Sequence, residues 1–202
     1  MKDATTLQSG FFSHHLRGLR MWVVVLAVIL VAYPCQTMAG EARLSNLIVT
    51  NTNNDLLVYT TVEGAFHEKM IKAIESGVPT TFSFFIMLYQ TRSIWFDKTL
   101  ANIEVSHTIR YNSLKKEYLV ERSWENNLPR SVKSLDAARR LMTDIDGLRI
   151  LPLSRLEKGK QYQVLVRARL SKVTLPYHLH YVLFFMSLWD FETDWYSVDF
   201  VY

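Results

Sequence analysis

Cysteine is almost missing from this chain of 202 residues, which has one, Cys35. Disulfide frameworks and thiolate metal sites need more than one cysteine per chain, so both are excluded. Glycine is scarce as well, with seven in all. They form neither a Gly-x-Ser-x-Gly elbow nor a phosphate-cradling loop, which sets aside the common serine hydrolases and nucleotide-binding folds. Low-complexity tracts are absent, and 21% charged residues beside 49% hydrophobic ones describe a chain that buries a core. A single long apolar run excludes a polytopic membrane protein. No concentrated basic face is present, so nucleic acid is not an expected partner.

What is present begins with a leader pattern. Arg17 and Arg20 precede an apolar run from Met21 to Ala32, which Tyr33-Pro34 breaks. Gln36-Thr37-Met38-Ala39 then ends on a small residue. Basic, apolar and small-residue segments in that order predict a secretory signal peptide over residues 1–39, cleaved after Ala39. Its apolar core enters the membrane only transiently. The run falls short of the ~20 residues that span a bilayer, which ranks a retained anchor through Met21–Ala32 below cleavage. Ala32-Tyr33-Pro34 before Cys35 lacks the small residues that lipid attachment requires, so Cys35 is expected to leave with the leader and take any thiol nucleophile with it. Residues 1–39 also carry Lys2, Arg17 and Arg20 against Asp3, or +2 of the net +4, leaving +2 for residues 40–202.

The remainder, residues 40–202, reads as one β-rich domain. Leu44–Thr50 and Asp55–Val62 flank the turn Asn51-Thr52-Asn53-Asn54 and predict a hairpin. From Phe66 the apolar spacing becomes helical through Met70, Ala73 and Ile74, with Gly77 at the C-cap position and Pro79 preventing continuation. Thr80–Gln90 is apolar on both faces, as a central strand covered on two sides would be. Ala101–Tyr111 alternates around Ile103, Val105, His107 and Ile109. After the turn at Asn112–Lys115, Glu117–Trp124 returns with Tyr118, Val120, Arg122 and Trp124 on one face. Ser134 predicts the N-cap of a second helix with the stripe Leu135, Ala138, Leu141, Met142 and Ile145, ended by Gly147. Gln161–Leu170, His180–Trp189 and Trp195–Tyr202 complete about eight strands. The expectation is a mainly β fold, an antiparallel β-sandwich or open barrel with two short amphipathic helices.

Three stretches together resemble a known family. They are Ala73-Ile74-Glu75-Ser76-Gly77-Val78-Pro79 before an aromatic strand, Gly159-Lys160-Gln161-Tyr162-Gln163-Val164 opening a strand that runs on through Val166-Arg167-Ala168-Arg169-Leu170, and Leu175-Pro176 before a Trp-rich end. The pattern is similar to an uncharacterised bacterial family of small exported proteins, a domain of unknown function often encoded beside a nitrogen-regulation-type membrane sensor histidine kinase. The resemblance covers nearly all of residues 40–202 and implies a periplasmic role near a sensor. It brings no catalytic residues.

Candidate chemistry is thin. His178 and His180 share a face if extended, but no third ligand stands at a telling spacing beside them, His67 or His107. Asp190, Glu192 and Asp194 resemble the opening of a calcium loop, yet Trp195 replaces its glycine and Val201 its closing glutamate. As a carboxylate pair for hydrolysis they rank low, since turn carboxylates are ordinarily solvated. Arg167 and Arg169, like Arg139-Arg140, offer anion contacts from a solvent face. Trp95, Trp124, Trp189 and Trp195 fill either a core or a groove. The alternating end at Tyr202 also suits a small outer-membrane barrel, which the helices and the two-sided Thr80–Gln90 strand oppose.

The functional expectation is a periplasmic, non-enzymatic binding or regulatory module of the cell envelope. Its partner is an envelope or membrane sensor protein. Its candidate partner surface is Trp124, Trp189, Trp195, Arg167 and Arg169, with no catalytic, cofactor or metal residue assigned. A carrier for a lipid or other apolar ligand is the alternative, with an outer-membrane barrel and a hydrolase below it.

Overall fold

The computed structural model describes residues 42–92, 96–126, 128–171 and 191–202. The first hairpin is formed by β1 (Arg43–Asn51) and β2 (Asp55–Glu63). Its turn is held by Thr52, whose Oγ1 accepts from Asn54 N at 3.3 Å and Asp55 N at 3.0 Å. A hydroxyl that takes up backbone donors in this way is a common device in tight turns. Helix α1 (Glu68–Glu75) buries Met70, Ala73 and Ile74. It stops at Gly77, where φ is +92°. Gly77 N and Val78 N return to the carbonyls of Ile74 and Ala73 at 2.9 and 3.0 Å, the Schellman pattern that only a left-handed residue completes cheaply.

Next come β3 (Thr80–Gln90), β4 (Lys98–Asn112), β5 (Glu117–Arg122) and β6 (Arg130–Val132). Helix α2 (Leu135–Thr143) follows, with Ser134 capping it by accepting from Ala137 N at 3.0 Å. The chain ends with β7 (Asp144–Pro152), β8 (Gln161–Ser171) and β9 (Tyr196–Val201). Every pairing is antiparallel, giving one sheet of order β1-β2-β7 and another of order β6-β5-β4-β3-β8-β9. Each sheet ends in two edge strands, so the described residues form an open sandwich and no closed barrel. Among them no helix is long and apolar enough to cross a membrane.

One core lies between the sheets. Leu56, Val58 and Val62 enter it from β2, Phe82, Phe84, Ile86 and Leu88 from β3, and Tyr162, Val164, Val166 and Ala168 from β8. Each large side chain so enclosed contributes roughly 1.5–3 kcal/mol by removal from water.

The structure corrects three of the sequence expectations and adds one strand. The residues after α2 are a strand rather than the end of a helix: β7 pairs with β2 and completes the smaller sheet. Ile145 therefore belongs to β7. Gly147 sits within that strand at φ +78°, with Tyr59 Oη 3.1 Å from where a Cβ would stand. The added strand is β6, an edge strand of three residues, too short to carry an alternating pattern. Strand β3 is enclosed fully on one face and only partly on the other, where Phe85, Met87 and Tyr89 are half-buried. Trp124 does not continue the face of β5, because the chain turns into a 3-10 segment at Ser123–Glu125. The expected strand His180–Trp189 lies outside the described residues.

Candidate functional site

Strand alternation carries Arg167 and Arg169 to the outer face of the larger sheet, because their neighbours Val166, Ala168 and Leu170 face the core. Phe85 of β3 is the cross-strand partner of Arg167. Both guanidiniums cover its ring, with Cζ of Arg167 and Arg169 at 5.4 and 5.0 Å from the centroid. Arg167 Cζ also lies over the Trp195 ring, 4.6 Å from its centroid. Glu192 forms an ion pair with Arg167 and bridges the backbone of Arg169.

Three of the five expected surface residues, Trp195, Arg167 and Arg169, are thus brought together. Phe85 and Glu192 join them, through contacts between segments far apart in the chain. Each cation–π contact contributes about 0.5–1 kcal/mol at such exposure, so the stack holds its shape without being a major source of stability. Trp195 remains 37% exposed. Arginine and aromatic side chains at an accessible site are the types that anchor protein interfaces.

Trp124 is placed elsewhere and is occupied. Its indole N–H donates to Nε2 of His107 at 2.9 Å, and His107 Nδ1 donates to Met142 O at 2.9 Å. Beside them Arg122, with a side chain 6% exposed, donates from Nε to Leu141 O at 2.9 Å and from Nη1 to Glu125 at 3.2 Å. Glu125 also accepts from Arg130 at 2.8 Å. His107 and Arg122 therefore satisfy the last carbonyls of α2, which a helix leaves without partners. The charge of Arg122 also opposes the negative end of the helix dipole. Burial, joined by the nearby Arg122 charge, pushes the imidazole down to about 4 against the bond to Met142. The network holds α2 on the sheet.

A cleft of about 510 Å³ lies between the start of β1, the end of β2 and residues 192–196. Glu63, Glu192 and Asp194 line it. Glu63 is bound by Arg43 at 2.9 Å, and that hydrogen bond holds its carboxyl below the usual range. A general acid needs a shift in the opposite direction. Glu192 is engaged by Arg167, and Asp190 lies outside the described residues. Among the described residues no three His, Cys, Asp or Glu side chains converge as metal ligands. His178, His180, Trp95 and Trp189 also lie outside the described residues.

The sequence matches the family model described as Domain of unknown function (DUF4390) over residues 39–199. No curated protein and no solved structure matches.

Proposed function

The chain belongs to the DUF4390 family, and from that premise we propose that it is an exported, non-enzymatic binding or regulatory module of the cell envelope, with a membrane sensor histidine kinase as its partner. The observation that carries this reading is the Phe85–Arg167–Arg169–Trp195 stack. It is preformed, it stands on paired strands, and it presents the residue types on which interfaces concentrate their affinity. The leader pattern of residues 1–39 supports export.

The carrier reading has less support. Phe82, Phe84 and Tyr162 are at most 1% exposed and fill the core, and the cleft beside β1 has Arg43, Glu63, Glu192 and Asp194 among its lining residues.

The test is reconstitution of the purified protein with the sensor kinase encoded nearest its own gene, read as binding by surface plasmon resonance. Trp195→Ala and Arg169→Glu should each weaken binding by about tenfold or more, as loss of an interface anchor does. Their thermal midpoints should stay close to that of the unsubstituted protein. No binding by the unsubstituted protein, or equal binding by both variants, overturns the proposal.

A further inference from the structure

A second cleft, also about 510 Å³, opens where β2, β6, α2 and the start of β7 meet. It shares no residue with the arginine–aromatic stack. Three arginines are among its lining residues, Arg122, Arg130 and Arg140. Glu125 occupies one side of Arg122 and Arg130. Arg140 is exposed and makes no ion pair among the described residues.

Asp144 and Asp146 line the same cleft from β7. Asp144 accepts from the Thr143 hydroxyl at 2.9 Å, and neither aspartate meets a cation within ion-pair distance among the described residues. Arg140 and Asp144 stand four apart and still do not pair. The helix ends at Thr143 and β7 begins at Asp144, so the two side chains leave on different elements.

We propose that this cleft binds a small zwitterion, an amino acid or dipeptide, with its carboxylate on Arg140 and its ammonium on Asp146. A simple anion entering here meets two aspartates, and a simple cation meets three arginines. A molecule with both charges offers a partner to the arginines and to the aspartates at once. The planar fork of arginine pairs naturally with a carboxylate, and the volume lies within the ordinary range for small-molecule sites.

Isothermal titration calorimetry on the purified protein tests this with alanine, alanyl-alanine, and the N-acetylated and C-amidated forms of the dipeptide. Arg140→Gln and Asp146→Asn are the variants. Both positions are exposed, and an unchanged thermal midpoint confirms that the fold is kept. The expected result is saturable binding of at least one free zwitterion at millimolar concentration or below. Each blocked form and each variant should bind about tenfold more weakly, the equivalent of one lost charge contact of about 1.4 kcal/mol. Absence of binding by both free zwitterions overturns the proposal. So does equal binding of either blocked form, which would mark a site for a single charge, or equal binding by both variants.

Discussion

The indole N–H of Trp124 donates to Nε2 of His107, whose Nδ1 faces the carbonyl of Met142, both at 2.9 Å. An indole can only donate and a carbonyl can only accept. The two partners therefore fix His107 as the neutral tautomer protonated on Nδ1, and a second proton would set two donors against each other.

Acid should weaken the fold through this residue. The unfolded chain takes up the proton near the ordinary value of 6.5, the folded chain only near 4. Between these limits the unfolded state binds more protons, so stability is complete above about pH 6.5 and falls as pH drops toward 4. The loss over the window is on the order of 3 kcal/mol. Urea denaturation between about pH 7 and about pH 4 checks it, as His107→Gln should flatten the slope by this amount. An equal slope in the variant would sink the assignment.

Arg122 and Arg130 hold the same carboxylate, yet their removal should differ. Arg122→Met leaves Leu141 O without its donor in a buried setting and should cost about 3 kcal/mol. Arg130 has a side chain 54% exposed, and Arg130→Met should cost under about 1 kcal/mol. Comparable denaturation midpoints for the two variants would contradict the capping role.

Gly147 combines φ +78° with Tyr59 Oη at 3.1 Å, whereas Gly77 at φ +92° has open space around it. Gly77→Ala should cost about 1 kcal/mol from backbone conformation alone. Gly147→Ala should cost more, and Tyr59→Phe in the same chain should recover part of the difference by removing the crowding oxygen. A double-mutant cycle with no coupling between positions 59 and 147 would refute the contact as the cause.

Export predicts a soluble periplasmic species whose intact mass corresponds to a chain beginning at Gly40. A membrane-bound species that retains residues 1–39 would favour the anchor through Met21–Ala32 instead. Cell fractionation followed by mass spectrometry decides between them.

Legibility in the sequence followed the range of the interactions. Alternation in Gln161–Leu170 placed Arg167 and Arg169 outside and Tyr162, Val164 and Val166 inside, because a strand with one buried face writes that period directly. The Ser134 cap and Gly77 stop were equally local. Strand β7 is not legible locally because its pairing with β2 shifts register twice, which breaks the period-2 pattern that identifies a strand. Its first apolar residue, Ile145, also continues the stripe of α2. His107 could be assigned to an inward face, but its partners come from a helix end and a 3-10 turn that no local pattern brings together. Phe85 met Arg167 only through the pairing of β3 with β8, which are far apart in sequence.

The smaller sheet is completed out of turn. Strands β1 and β2 open the described chain, four strands of the other sheet follow, and only then does β7 arrive beside β2. During synthesis from the N-terminus the inner edge of β2 therefore waits with its backbone groups unpaired, a state that favours association with other chains. Closure over so long a loop also slows folding compared with a simple meander. Conditions that delay β7 should show themselves first as aggregation of nascent or refolding chains, before any loss in the stability of the finished protein.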